Sequence, residues 1–452
     1  FYKTEKLFYR SICLFYLLFR FFEKVNKNKS KKQRSTHVMS KNPVYISRRN
    51  FLKVGAFTAA MATLSVPAFA ASDEENCFRK ITAQRDTQYG PVQGVDQGDS
   101  LVWYGIPYGA APVGDLRWQA PQDPAAWSDV KDCTQVSPVA YQYSSGPIGT
   151  EDCLKLDVYT TPNAHKLPVL VFIHGGNNQT GNTKEILGSE LVVRDNCVFV
   201  TIDYRLGLFG FNCLPALHRG SDDTGNFTLL DIAKALDWVR DNIAQFGGDP
   251  DNITVSGFSA GGRDVMAMLA SPMFAGRFQK AIAFSGGMTI ADEAASESQI
   301  AWAIAPLAVE DGMFHNAADA RNWLLTSGDD VRNWLYSLDS ARLCPLMSNA
   351  GIRMSVFPHL YGDGVVLPKE GFDTTTYNSV PLLMLTGKTE FSMFAVGDSY
   401  FSSSEMKACS AAEVQSAKDF AVKYGSDMYR IFNAECSAEK MYDNYNANIY
   451  LC

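Results

Sequence analysis

The stretch Gly257-Phe258-Ser259-Ala260-Gly261 decides the fold of this chain. It follows a β-branched run at residues 253–255 and precedes a stretch of helical character at residues 263–269. A Gly-x-Ser-x-Gly turn between a strand and a helix raises a serine hydroxyl above the carboxyl edge of a sheet on a sharp, strained bend. Glycine on both sides of the serine leaves room for that backbone and for a substrate, because glycine has no Cβ. The motif therefore predicts that Ser259 is a nucleophile; a serine in an ordinary tight turn is the alternative.

The rest of the chain alternates strand-like and helix-like stretches. Four apolar runs are strand candidates: residues 167–173, 197–202, 281–284 and 382–385. The first two are apolar nearly throughout, as strands buried on both faces are. Residues 231–246 have apolar side chains at helical spacing, and residues 290–345 also have helical character. This order predicts one α/β domain over residues 71–452, with a mostly parallel central sheet flanked by helices and residues 290–345 as a helical cap or side excursion.

Composition excludes some classes of partner. Of the 452 residues, 46% are hydrophobic and 20% are charged, which is ordinary for a globular protein. Residues 1–70 hold 14 Lys or Arg and two Asp or Glu, which leaves 27 basic and 46 acidic residues in the rest of the chain, a net charge near −19. This surplus of acid argues against a nucleic acid as partner and favours neutral or cationic small molecules. No Cys-x-x-Cys pair has histidines near it, so we expect no structural zinc site.

Residues 39–70 are predicted to be a twin-arginine export signal. Arg48-Arg49 precedes a modest apolar segment at residues 54–66, and Ala68-Phe69-Ala70 is a small-x-small cleavage site. A short buried helix after a basic loop is the alternative. The signal predicts passage through the twin-arginine translocation machinery and a periplasmic or secreted protein, in a compartment where disulfides persist.

Residues 1–38 are predicted to be a non-native upstream extension and to be disordered. The chain begins with Phe1, and the first plausible start is Met39. Residues 24–34 are rich in lysine, and the apolar run at residues 12–22 is too short to cross a bilayer. We therefore expect no stable insertion into a membrane; a membrane anchor is the alternative.

With these motifs in view, the chain resembles the type B carboxylesterase family, which also contains the cholinesterases. The resemblance runs from about Gly90 to Cys452 and includes residues 105–109 (GIPYG), 151–158 (EDCLKLDV), 174–176 (HGG), 203–207 (DYRLG) and 246–250 (FGGDP). Two positions depart from the family pattern: Phe258 stands where glutamate is common, and Asn177 stands where glycine or alanine is common. The resemblance implies the α/β-hydrolase fold and a serine carboxylic-ester hydrolase that acts on a small-molecule ester without a metal or cofactor.

The resemblance also implies the other members of the site. Glu390 follows the strand candidate at residues 382–385 and is the expected catalytic acid, because the chain order in this fold is serine, acid, histidine. Ser285 is a candidate for a hydrogen bond to that acid. The expected oxyanion-hole donors are the backbone N–H groups of Gly176, Asn177 and Ala260. The alternatives are an exposed loop glutamate, a strand-end serine that satisfies local backbone, and a plain glycine turn.

A catalytic serine also needs a histidine base, which in this family follows the acid. The chain has six histidines, and none of them follows Glu390. His315 and His359 are poor candidates because neither has the expected place, and His174 is expected to be a packed structural residue. We therefore expect a chain that is truncated at its C-terminus, that lacks the last strand, the closing helices and the base, and that has weak or no activity by itself.

The resemblance further concerns cysteines and one ion pair. Ten cysteines are too many to be chance in an exported enzyme and too few for a disulfide scaffold. The resemblance places Cys133 and Cys153 at a family disulfide, so we expect them to be bonded. Arg117 and Glu151 match an ion pair of the family and are expected to be structural.

The sequence is also compatible with two other functions. One is a non-catalytic binding protein on the same fold, like the cholinesterase-like adhesion proteins. Retention of Ser259 and Glu390 argues against it, because binding needs neither residue. The other is a lipase on long-chain esters, which requires an apolar cap over the site; the helical residues 290–345 permit such a cap.

Overall fold

The computed structural model describes residues 83–346 and 358–452, together with three two-residue strands, Val44–Tyr45, Asn349–Ala350 and Ser355–Val356. The chain divides into two units, Phe1–Lys80 and Ile81–Cys452. The predicted upstream extension at residues 1–38 lies outside the described residues. The predicted export signal at residues 39–70 does so too, apart from the first of these strands. All elements named below belong to the second unit.

Nine described strands of this unit form its main sheet: β1 Val95–Asp96, β2 Leu101–Pro107, β3 Lys155–Thr160, β4 Leu167–Ile173, β5 Val198–Ile202, β6 Gly248–Phe258, β7 Lys280–Phe284, β8 Leu382–Leu385 and β9 Ile449–Leu451. Their order across the sheet is β9-β8-β7-β6-β4-β5-β3-β2-β1. The strands from β9 to β5 pair in parallel, and those from β5 to β1 pair antiparallel. The predicted mostly parallel sheet is confirmed, and the carboxyl ends of β4, β6, β7 and β8 share one edge.

Burial on both faces explains why these strands could be predicted from the sequence. Every residue of β5, β7 and β8 is buried, so each of them must be almost wholly apolar. The predicted strands at 167–173 and 382–385 have the observed bounds, and those at 197–202 and 281–284 differ by one residue at their start. Short strands outside the main sheet are Gln84–Thr87, Gly90–Gln93, Lys131–Asp132, Gln142–Tyr143 and Pro147–Ile148.

Helices cover the sheet and connect its strands: α1 Ser189–Asp195, α2 Gly207–Gly210, α3 Phe227–Asn242, α4 Ala260–Ala270, α5 Glu293–Glu310, α6 Ala317–Leu324, α7 Asp329–Ser337, α8 Ser340–Leu343, α9 Phe391–Gly397, α10 Ser404–Lys407, α11 Ala411–Arg430 and α12 Ser437–Met441. The predicted helical character of residues 290–345 is confirmed by α5 to α8. The helix predicted at 231–246 begins earlier, with α3, and its last turn is a 3₁₀ helix that ends at left-handed Gly247. Within the described part of the chain, no helix is both long and apolar enough to cross a membrane.

Arg117 connects the helices α5 to α8 with the remainder of the domain. Its guanidinium donates to both carboxylate oxygens of Glu151, at 2.6 and 2.8 Å. It also donates to the carbonyl oxygen of Leu338 at 2.8 Å and to the hydroxyl of Ser340 at 3.1 Å. Both charged side chains are largely buried. The expected structural ion pair is therefore present, and it holds the end of α7 and the start of α8 in place.

The expected disulfide between Cys133 and Cys153 is wrong, because both cysteines are free and buried in the structure. The segments that contain them pair with different residues, one within β2 and the other directly after it. The Cys133 carbonyl accepts from the N–H of Tyr104 at 2.8 Å, whereas the carbonyl of Leu154, next to Cys153, accepts from the N–H of Tyr108 at 3.0 Å. Four residues of a strand span roughly 13 Å. A disulfide requires Cα atoms within about 7 Å of each other, so this arrangement cannot form one.

Candidate active site

Ser259 stands between β6 and α4 on a strained backbone. Its φ of 56° and ψ of −113° lie outside the regions that residues with a Cβ favour. Two hydrogen bonds hold this conformation. The Ser259 N–H donates to the carbonyl of Phe284, at the end of β7, at 2.8 Å, and the N–H of Arg263 donates to the Ser259 carbonyl at 3.0 Å. The strand, sharp turn and helix of the sequence motif therefore occur in that order, and the serine is half-buried.

Close packing around this turn accounts for its glycines. A Cβ on Gly257 would overlap the carbonyl oxygen of Gly261, and a Cβ on Gly261 would overlap that of Ile173. A Cβ on Gly175 would lie 3.0 Å from the carbonyl oxygen of Phe258. The end of β4 and the residues after it are therefore pressed directly against the serine turn.

The turn that follows β4 has an unusual backbone. Gly176, Asn177 and Asn178 all have positive φ values, of 93°, 61° and 56°. The N–H groups of Gln179 and Thr180 both donate to the Gly176 carbonyl at 3.0 Å and close the turn. Residues 174–178 contain two of the expected oxyanion-hole residues and are called the oxyanion turn for that reason. Two consecutive left-handed asparagines cost conformational energy, so other contacts must hold them.

The three expected oxyanion-hole residues belong to two segments that meet at Ser259. Gly176 and Asn177 directly follow Gly175. A Cβ added to Gly175 would lie 3.3 Å from the Cβ of Ser259. Ala260 is the first residue of α4, so its N–H has no acceptor within the helix. Backbone N–H groups so placed can stabilise an oxygen that gains negative charge.

Two charged residues of α4 hold the oxyanion turn, and sequence reasoning missed both of them. Arg263 Nη2 donates to Asn177 Oδ1 at 2.5 Å, and Asn178 Nδ2 donates to Asp264 Oδ1 at 2.8 Å. Burial raises the pKa of Asp264 to about 7, although the bond from Asn178 and the charge of Arg263 oppose the rise. The sequence shows only an adjacent Arg-Asp pair in an otherwise apolar helical stretch, which does not reveal the contacts of either side chain.

Glu390 lies after β8, directly before α9, and is held by two donors. Its Oε1 accepts hydrogen bonds from the Ser285 hydroxyl and from the N–H of Gly387, the latter at 2.5 Å. Ser285 in turn donates its N–H to the Leu385 carbonyl at 2.7 Å, and its own carbonyl accepts from the Tyr429 hydroxyl at 2.8 Å. The expected contact between Ser285 and the acid is therefore present. It fixes the carboxylate relative to the ends of β7 and β8.

Ser259 and Glu390 lie at the same edge of the sheet. They follow β6 and β8, which are separated by β7. Neighbouring strands are about 4.8 Å apart, so the two strand ends are about 10 Å apart. One imidazole ring with a hydrogen bond of about 2.8 Å on each side spans a comparable distance. The arrangement suits a serine and an acid that act through one intervening histidine.

The described histidines have other surroundings. His174 is buried, stacks on the ring of Tyr204 at 4.3 Å, and has Nδ1 2.9 Å from the Gly175 carbonyl oxygen. Burial lowers its pKa to about 4, so it is a neutral packed residue at physiological pH. His359 is buried with its ring 5.6 Å from that of Phe211. The other described histidines are exposed: His165, His218 and His315.

A small cavity adjoins the oxyanion turn. Its volume is about 140 Å³, and its walls combine aromatic, apolar and polar side chains from four segments of the chain. The lining residues are Tyr141, Gln142, Tyr143, Gln179, Thr180, Leu206, Gly207, Leu208, Phe209 and Cys344. Two of its lining residues, Gln179 and Thr180, directly follow the oxyanion turn.

A serine elbow on a mostly parallel sheet with helices on its faces defines an α/β-hydrolase. The sequence pattern of the Carboxylesterase family matches residues 82–448, and the chain belongs to this family. It is 36% identical to the para-nitrobenzyl esterase of Bacillus subtilis (strain 168) over 333 residues, which cover 71% of this chain and 65% of that protein. It is also 36% identical to the fumonisin B1 esterase of Sphingopyxis macrogoltabida over 256 residues, which cover 54% of this chain and 46% of that protein.

Solved structures agree with this assignment. A para-nitrobenzyl (PNB) esterase structure superposes with a TM-score of 0.61 at 30% identity, and the Geobacillus stearothermophilus carboxylesterase EST55 with a TM-score of 0.65 at 27% identity. In both comparisons the match covers 82% of this chain and 79% of the other. The chain spans less than two thirds of the length of the two sequence relatives named above.

Proposed function

We propose that this protein is a serine carboxylic-ester hydrolase with Ser259 as its nucleophile. The serine hydroxyl attacks the carbonyl carbon of a bound ester, the tetrahedral intermediate expels the alcohol, and an acyl group stays on the serine. Water then releases the carboxylic acid and restores the hydroxyl. The observation that carries the proposal is the strained backbone of Ser259 against the oxyanion turn, because such strain persists mainly where function requires it.

The oxyanion of the intermediate is the charge that the site must stabilise. In this proposal the N–H groups of Gly176, Asn177 and Ala260 donate to it. Loss of one such donor in a serine hydrolase costs roughly 10²–10³ in kcat. The position of Ala260 at the start of α4 adds the partial positive charge of a helix N-terminus.

Glu390 is the proposed acid, and its role is to orient the base that takes the serine proton. The bonds from Ser285 and Gly387 keep its carboxylate in one position and leave its second oxygen for the base. No histidine follows Glu390 in the 452 residues. When the 452 residues are assayed by themselves, we expect only the catalysis that the oxyanion hole and binding supply. This corresponds to a rate enhancement on the order of 10³ over the uncatalysed reaction.

The proposed substrates are small esters. A cavity of about 140 Å³ beside the oxyanion turn accommodates a short acyl group or one aromatic ring better than a long chain. Similarity to a protein named para-nitrobenzyl esterase supports esters with an aromatic alcohol part as the first substrates to test.

Hydrolysis of para-nitrophenyl acetate tests the proposal. The parent chain and Ser259→Ala are compared with and without imidazole in the buffer, since free imidazole can replace a general base. We expect slow release of nitrophenol by the parent, a larger rate with imidazole, and the background rate for Ser259→Ala under both conditions. Equal rates for the two proteins would refute Ser259 as nucleophile and favour a binding protein on the same fold.

We also propose that residues 39–70 direct export by the twin-arginine route to the periplasm or the medium. The support is the order of Arg48-Arg49, an apolar segment and a small-x-small site in the sequence. Replacing both arginines by lysine should leave the protein in the cytoplasm of a bacterium that has this route. Unchanged export of that double variant would disprove the assignment.

A further inference from the structure

Arg263 is a nearly buried cation beside the proposed nucleophile. It follows Ser259 by four residues and lies in the first turn of α4, where its N–H donates to the Ser259 carbonyl at 3.0 Å. Its Nη2 reaches the side-chain oxygen of Asn177 at 2.5 Å, and only 7% of the residue is exposed. The positive charge therefore lies against the oxyanion turn rather than in solvent.

This guanidinium differs from the other buried arginines of the domain. Arg117 is paired with Glu151, and Arg205 is paired with Asp231. Among the residues that the structure describes, no carboxylate forms an ion pair with Arg263; its hydrogen bond goes to a neutral amide. Burial lowers the pKa of Arg263 below its ordinary value. A buried charge without a counter-charge is unfavourable, so a ligand that neutralised it would be bound strongly.

The nearest acidic groups are engaged elsewhere. The Asp264 carboxylate accepts from Asn178, and burial raises its pKa to about 7, so it is only partly charged at neutral pH. Glu390 accepts from Ser285 and a backbone N–H. Tyr429, whose pKa is raised by burial and lowered by the charge of Arg263, donates to a backbone carbonyl. None of these groups gives Arg263 a full counter-charge.

We propose that Arg263 binds a carboxylate of the substrate, so that the substrate is an ester whose acyl or alcohol part carries a second, ionised carboxyl group. The inference rests on the proposed function and specifies its substrate class. A guanidinium has five N–H donors in a planar fork, and Asn177 occupies one of them. A carboxylate can accept two parallel bonds from the others, which fixes the distance between the anion and the ester carbonyl at Ser259.

The acidic surface of the domain does not contradict an anionic substrate. The net charge near −19 for residues 71–452 repels anions at long range and lowers their rate of encounter. This repulsion is screened over about 8–10 Å in physiological salt. At contact, two charge-assisted bonds from a desolvated guanidinium decide the affinity.

Equilibrium binding of product analogues tests the inference without any need for turnover. Calorimetric titrations of the parent chain use succinate and glutarate for an anionic acyl part and γ-hydroxybutyrate for an anionic alcohol part. The matched neutral ligands are succinamide and glutaramide. We expect one of the two anionic classes to bind, and that class identifies the part of the ester that carries the carboxylate. We expect the diamides to bind at least about tenfold more weakly.

Two variants and one control assign this binding to Arg263. Arg263→Met should lose at least about tenfold in affinity for the anion, and Arg263→Lys should lose less because it keeps the charge without the fork. Arg240→Met is the control, since it removes the same charge from an exposed pair on α3 and should bind like the parent. If Arg263→Met does not fold, Arg263→Lys still tests the fork.

Absence of anion binding by the parent, equal binding of acids and diamides, or undiminished binding by the Arg263 variants would each overturn the inference. Anion binding that depends on Arg263 in a protein that never acylates Ser259 would support the inference and refute the proposed function. The two failures are therefore distinguishable.

Discussion

At the residue scale, the backbone of Ser259 is strained because the residue carries a Cβ at φ 56° and ψ −113°. Glycine adopts such angles without that strain. We expect Ser259→Gly to be more stable than Ser259→Ala by about 1 kcal/mol, after the greater flexibility of glycine in the unfolded chain is counted. Urea denaturation of both variants measures the difference. A glycine variant less stable than the alanine variant would show that the turn is not strained.

The same residues show what sequence could and could not predict. Ser259 was predictable because its motif has a fixed local context, a strand followed by a helix. The place of Glu390 came from resemblance, and the structure shows its contact with Ser285. Arg263 was read only as part of a helix. Its importance depends on the direction of its side chain toward Asn177, which is 86 positions away in the sequence and which no local pattern reveals.

At the element scale, α4 and the oxyanion turn are joined through Asp264. Its pKa is raised by burial from an ordinary value near 4 to about 7, so between these pH values the folded state keeps a proton that the unfolded state has lost. The contribution of Asp264 to the free energy of unfolding is therefore greatest below about pH 4 and declines until about pH 7. A stable turn at low pH and a weakened one at alkaline pH follow from this.

Asp264→Asn tests this coupling. Asparagine keeps an oxygen that can accept from Asn178 but has no charge to bury. From about pH 5 to pH 8 we expect the free energy of unfolding to fall less for the variant than for the parent. Only the parent has the contribution of Asp264, which declines as the pH rises. Buried Asp157 and Asp203, whose pKa values are also raised by burial, contribute equally in both proteins. Parallel curves for parent and variant would mean that Asp264 does not titrate in this range.

Arg117 allows a second test at this scale. Arg117→Ala leaves buried Glu151 without its partner and removes the bond to the end of α7, so we expect the free energy of unfolding to drop by about 3 kcal/mol. Arg332→Ala, which breaks an exposed pair with Asp329, is the control and should change little. Urea denaturation compares them. Equal effects of the two variants would contradict a special role for Arg117.

Elements were predicted well where one physical rule controls them. Strands β4, β5, β7 and β8 are apolar because both faces are buried, and that pattern is local. The helix α3 starts before its predicted first residue because tertiary packing buries its first turn as well. The prediction of a disulfide between Cys133 and Cys153 was wrong because the family resemblance gave positions in the sequence and no distance between the two residues. Their separation along β2 is a property of the folded sheet.

At the scale of the whole molecule, the carboxyl edge of the sheet gathers four segments that are far apart in the chain. The oxyanion turn follows β4, Ser259 follows β6, Ser285 follows β7 and Glu390 follows β8. A parallel sheet with this strand order brings all four to one edge, whatever the lengths of the connections. The order of the groups along the sequence was therefore predictable from fold class, whereas the contacts among them required the structure.

In the proposed function, Ser259 carries the acyl group of the substrate. Peptide mass spectrometry after incubation with para-nitrophenyl acetate tests it most directly, because an acyl-enzyme accumulates when its hydrolysis is slow. We expect one acetyl group on the peptide that contains Ser259, and none on that peptide in Ser259→Ala. An acetyl group found only on other residues, or no difference between the two proteins, would contradict it.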